Sequence, residues 1–168
     1  MIQFCVSDSD KATMNDSCEF YKSIIDAMTE HIVVIDQQGA IRYVNNAWMN
    51  FGQQNGYLNK YKWQQMNYLT ICDASADAGE RFAGDAAQGI RKVIAGDQSL
   101  FYLEYPCHSI TEKRWFMMRT TPLELKHQQL FVISHQNITE RKLAEIEAMS
   151  LSRIDGLTGI ANRRYFDE

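Results

Sequence analysis

Proline, cysteine and positive charge are all scarce in this chain of 168 residues: it has two prolines, four cysteines and a formal net charge of −4. With so little proline and 45% hydrophobic residues, a disordered or proline-rich extended chain is excluded. Cys5, Cys18, Cys72 and Cys107 never fall at C-x-x-C spacing, which argues against a zinc or thioredoxin-like site. A chain of this length can bury a core without a disulfide framework, so the thiols read as reduced and the compartment as cytoplasmic. The acidic balance leaves no basic field for nucleic acid or anionic lipid, and no nucleic-acid partner is expected. No apolar run approaches the ~18 residues of a membrane span. The first residues turn polar after Val6 and form no signal core. Internal repeats and low-complexity segments are missing too.

What is present is a run of alternating element signals. Residues 1–16 read as a disordered lead. A helix follows, with Phe20, Ile24, Ala27 and Met28 at helical spacing and Asp16 or Ser17 as its cap. "HIVVIDQQGAIRYVN" is a hairpin signal around Gly39, and a short helix capped by Asn45 comes next. Residues 57–78 read as irregular, with one turn of helix near Tyr68–Cys72. From Gly79 to Ala95 Phe82, Ala86, Ile90, Val93 and Ile94 form a clear apolar stripe, and Gly96 supplies the stop.

Three strand signals close the domain. In the first, Phe101, Leu103, Tyr105 and Cys107 alternate with Glu104 and His108. The second and third, around Trp115–Met118 and Leu130–Ile133, are apolar on both faces, so the sheet needs cover on both sides. Beyond Asn137 the chain is rich in helix formers. Thr139 is a natural cap, and Leu143 and Ile146 make a narrow stripe suited to pairing with a second copy. The predicted fold class is α+β: a five-stranded antiparallel sheet with helices over one face, an N-terminal helix and a C-terminal exit helix.

This order, with "YPCHS", "RWFMMRTTPL" and "VISHQNITERKLAE", resembles a PAS sensory domain. The resemblance implies boundaries of 17–138 for the domain and 139–153 for the exit or linker helix. It implies a homodimer and a pocket for a small molecule, for which Trp48, Tyr68, Arg91, Tyr105 and Trp115 are the candidates. Signal transmission would fall to Asn137, Thr139, Arg141, Leu143 and Ile146. Asn137 stands where many relatives have Asp, which removes a charge that could pair with Arg141. The cofactor is left open. The long helix has no histidine of the kind haem-binding relatives use, and "QMNYLTICD" lacks the cysteine motif of flavin photoreceptors. Cys107 and His108 lie on opposite sides of one strand, which argues against a metal.

The last residues, "DGLTGIANRRYF", resemble the opening of a GGDEF domain, the diguanylate cyclase fold, through Asp155, Leu157, Thr158, Asn162 and Arg163. Residues 154–168 therefore read as the start of a truncated GGDEF domain. The catalytic loop of that family is not in the chain, so no catalytic residue and no enzyme activity are expected here. The resemblance implies a sensory and dimerisation module regulating a cyclase that makes cyclic di-GMP. A ligand-free dimerisation scaffold is the alternative.

Overall fold

A computed structural model describes residues 8–56, 63–109, 111–125 and 128–152, with side chains from residue 17 to residue 150. The elements run α1 (Asp8–Ala27), β1 (His31–Asp36), β2 (Ile41–Val44), α2 (Asn46–Gln54), a 3-10 turn (Trp63–Gln65), α3 (Tyr68–Asp77), α4 (Arg81–Ala95), β3 (Phe101–Pro106), β4 (Trp115–Leu125), β5 (Gln128–Asn137) and α5 (Thr139–Ser152). The five strands form one antiparallel sheet in the order β2-β1-β5-β4-β3. The chain divides into two compact units, one of residues 1–103 and 118–136, the other of residues 104–117 and 137–168.

In the first unit β1 pairs with β5 in the register His31↔His135, Val33↔Ile133 and Ile35↔Phe131. Cross-strand partners share a face. Val33, Ile35, Phe131 and Ile133 are fully buried, and the intervening Val34, Leu130 and Val132 are half-buried. The two-sided apolar pattern of β4 and β5 thus resolves into one deeply packed face and one partly covered face. Ala86, Ala87, Ile90 and Val93 are the buried stripe of α4. Gly89 lets this helix approach β3 closely, because a Cβ there would overlap the Phe101 ring.

Asn45 joins four segments. Its Oδ1 accepts the N–H of Ile32 and, as the cap of α2, that of Trp48; its Nδ2 donates to the carbonyls of Ile25 and Glu30. Gly39, at φ 83°, makes the β1–β2 turn, and its carbonyl accepts the Tyr68 N–H. Asn67 caps α3 through the Thr70 N–H and donates to the Gln38 carbonyl. The hairpin turn therefore fixes where α3 begins, and with it the position of Tyr68.

Two expectations need correction. Helix α1 starts at Asp8, so residues 8–16 are helical where a disordered lead was expected, and Asp16 and Ser17 lie inside the helix. Helix α3 spans ten residues, not one turn. Its sequence has no clean apolar stripe, and only Tyr68 and Leu69 are buried. The expected start of a GGDEF domain, with Asp155, Leu157, Thr158, Asn162 and Arg163, lies outside the described residues.

Candidate functional site

Of the five expected pocket residues, Trp48 and Tyr68 come together, and they do so around a residue the sequence reading passed over. The ring of Trp48 lies 6.0 Å from Tyr68 and 5.4 Å from His135. The Tyr68 hydroxyl is 3.1 Å from His135 Nε2 and 3.8 Å from Met118 Sδ. These groups sit where alternation puts them: Phe131, Ile133 and His135 are the buried positions of β5, and Phe116, Met118 and Thr120 those of β4. The signal was available, because polar residues continue an apolar period-two pattern in both strands. Burial, with His31 as a lesser cause, lowers the His135 pKa to about 3, so the imidazole is neutral at physiological pH. Thr120 is fully buried, and among the described residues neither its Oγ1 nor the buried Nε1 of Trp48 has a hydrogen-bond partner.

Arg91 does not join this cluster. Its guanidinium is half-exposed and makes two hydrogen bonds to the Asp73 carboxylate, at 2.6 and 3.0 Å. A helix-surface ion pair satisfies it without burial, which period counting on α4 alone could not foresee. The pair holds the Asp73 carboxyl below its usual range. Cys72 beside it is pushed up to about 11, chiefly by burial and then by Asp73, and is an unreactive thiol.

Tyr105 and Trp115 belong to the second unit and serve other partners. Tyr105 stacks on Phe116 at 6.1 Å, and Trp115 meets His108 edge-on at 4.8 Å. The backbone of Trp115 anchors the exit helix: its N–H donates to Thr139 Oγ1, and its carbonyl accepts the Ile138 N–H. Thr139 was expected to cap α5 with this same hydroxyl. Instead the first turn is closed by Lys142 N–H donating to the Ile138 carbonyl, while Asn137 Oδ1 accepts the Thr139 N–H.

Arg141 finds its carboxylate partners away from Asn137. It pairs with Glu104 of β3 and, at 2.6 Å, with Glu145 one turn along α5. Lys142 also bridges both carboxylates, at 2.6 Å to Glu104 and 3.1 Å to Glu145. Hydrogen bonds from Lys142 and then Arg141 lower the Glu104 pKa. The sequence placed Glu104 on the outer side of its strand but gave no sign of its partners, which lie 37 and 38 residues away. Further along α5, Leu143, Ile146 and Met149 are exposed. Among the described residues no group of three His, Cys, Asp or Glu could hold a metal, and no helix is long and apolar enough to cross a membrane.

A sheet of order 2-1-5-4-3 with a helical crossover and an interior aromatic cluster defines a class of small sensory folds, and comparison with known proteins identifies it. The model of the PAS fold family matches residues 25–143, and the chain belongs to that family. A 104.1 kDa protein of Rhodobacter capsulatus, described as uncharacterized, is 35% identical over 151 residues; the match covers 88% of this chain and 15% of that protein. Among solved structures, the PAS domain of Bordetella pertussis BvgS has a TM-score of 0.54 at 18% identity, with 82% of this chain and 98% of that chain covered. The PAS domain of an HTR-like protein from Haloarcula marismortui has a TM-score of 0.52 at 12% identity, covering 79% and 100%. PAS domains are typical of signal-transduction proteins, and a PAS domain alone is not a catalyst.

Proposed function

We propose that this chain is a cytoplasmic sensory and dimerisation module controlling an output domain, which the motif at residues 155–163 makes a diguanylate cyclase. The sensor is the interior cluster of Trp48, Tyr68 and His135, and the transmitter is α5. One observation carries the reading. Trp115, Asn137 and the Glu104 ion cluster anchor the start of helix α5, while Leu143, Ile146 and Met149 stay exposed along its length. A helix of 14 residues is marginal in water unless something covers its apolar side. A second copy of α5 supplies that cover. A bound ligand would act by favouring one arrangement of α5 over another.

Sedimentation of wild type and of the Leu143→Asp/Ile146→Asp double variant tests this. The account expects a dimer at tens of micromolar, on the order of ordinary assay concentrations, and a shift to monomer in the variant. A wild-type monomer, or an equally strong variant dimer, removes the basis for the transmitter.

A further inference from the structure

We propose that the cleft walled by α1, β2, α2 and the 3-10 turn binds a free α-amino acid with a large apolar side chain. The proposal goes beyond the sensory reading and does not rest on it. The cleft holds about 440 Å³, a volume usual for small-molecule sites, and every residue lining it belongs to the first unit. Ile41, Val44 and Met49 supply apolar lining, and Tyr43 and Trp63 add two rings. Ile41 is buried, whereas the other four are only half-buried, so their apolar surface still meets water. A side chain that covers it gains by the hydrophobic effect.

The charged residues of the lining are Lys22 and Asp26, of opposite sign and one turn apart on α1. Residues at that spacing are neighbours on a helix face and can pair. These two do not. The half-buried Asp26 turns to the other wall: its Oδ1 accepts the Tyr43 hydroxyl at 2.8 Å and the Asn46 N–H at 3.2 Å. Burial, and then Asp26, pushes the Tyr43 hydroxyl up to about 12, so it stays a donor and holds the carboxylate in place. Among the described residues Asp26 Oδ2 has no hydrogen-bond partner, and the exposed Lys22 ammonium has no carboxylate within salt-bridge reach.

Charge decides the class. A simple carboxylate would gain from Lys22 and be repelled by Asp26, and a simple amine the reverse. A molecule that carries both signs on adjacent atoms satisfies both residues at once. An α-amino acid does so and leaves its side chain for the apolar lining. The remaining polar residues of the cleft, Asn46 and Gln64, are neutral and do not disturb this balance. The two rings favour an aromatic side chain.

The test titrates the protein with phenylalanine, phenethylamine and 3-phenylpropanoate, which share a ring and differ in charge. The readout is the indole N–H spectrum of protein carrying ¹⁵N-tryptophan, with the Trp63 signal assigned by Trp63→Phe. Phenylalanine is expected to move the Trp63 signal saturably, and each single-charge analogue to bind about fivefold more weakly. Asp26→Asn keeps an acceptor oxygen for Tyr43. It should weaken phenylalanine by about the same factor and leave 3-phenylpropanoate no weaker. Lys22→Gln should weaken phenylalanine likewise and leave phenethylamine no weaker. An analogue that binds wild type as tightly as phenylalanine would overturn the proposal. Full-strength binding of phenylalanine to either variant would do the same, as would a Trp63 signal that none of the three compounds moves. The comparison of compounds is made on wild type, so it decides the matter even where a variant fails to fold. Dimerisation through α5 is measured separately by sedimentation, so failure here leaves the sensory reading in place.

Discussion

Around His135 polar groups are taken out of water; around Glu104 they are left in it. The first arrangement depends on desolvation. Its imidazole is neutral, its hydroxyl and sulfur partners are buried, and salt has little access to it. The second depends on two cations and two carboxylates in contact with solvent, each pair of small value by itself. A desolvated cluster makes an all-or-none core. A solvated ion cluster makes a tether that opens at low cost, which suits the root of a moving helix.

The largest expected effect is at the hub of the first unit. Asn45→Ala should lower the unfolding free energy by about 3 kcal/mol or more, since it strands the Ile32 N–H and the Glu30 carbonyl, removes one of the donors to the Ile25 carbonyl and removes the α2 cap. Urea unfolding measures this. A loss no greater than that of an ordinary exposed cap, about 1 kcal/mol, would mean the hub is not where the core is held.

Next comes pH. The folded-state pKa of His135 is lowered from 6.5 to about 3, so the unfolded chain takes up the proton first as pH falls. The contribution is fully present above 6.5 and is lost progressively toward pH 3, at about 1.4 kcal/mol per unit. Between pH 7 and 5 the wild type should lose about 2 kcal/mol. Glu104, Glu145 and Asp73, whose pKa values are lowered, add their dependence only below about 4.5. His135→Gln should flatten the upper window; an unchanged slope would assign it to another group.

The smallest effect is at the tether. Glu104→Gln should leave the urea midpoint unchanged yet speed amide exchange at residues 140–146 in dilute buffer. The difference should vanish near 1 M salt, where charges are screened beyond about 3 Å. A shifted midpoint would show that the ion cluster is part of the core and would erase the contrast between the two regions.

The sequence made the strands, α4 and α5 legible because their apolar periods match their geometry, and Asn45 announced the α2 cap. It hid α3, whose "CDASAD" has neither stripe nor strong breaker. At the site, Trp48 and Tyr68 were readable as aromatics with polar handles. His135 and Thr120 were not singled out, although both sit in phase with their buried neighbours. Arg91 pairs with Asp73, 18 residues away, and the apolar period of α4 carries no sign of that partner. The Glu104–Arg141 pair spans 37 residues, and no local pattern encodes it.

The account stands most directly on the separability of α5 from the core. Hydrogen exchange on wild type and on Leu143→Asp/Ile146→Asp measures it residue by residue. The expected result is lost protection across residues 140–152 with protection at residues 116–120 and 131–135 intact. Unchanged protection in α5 would show that the exposed stripe does not hold it, and loss in the core strands as well would show that helix and core are one cooperative body.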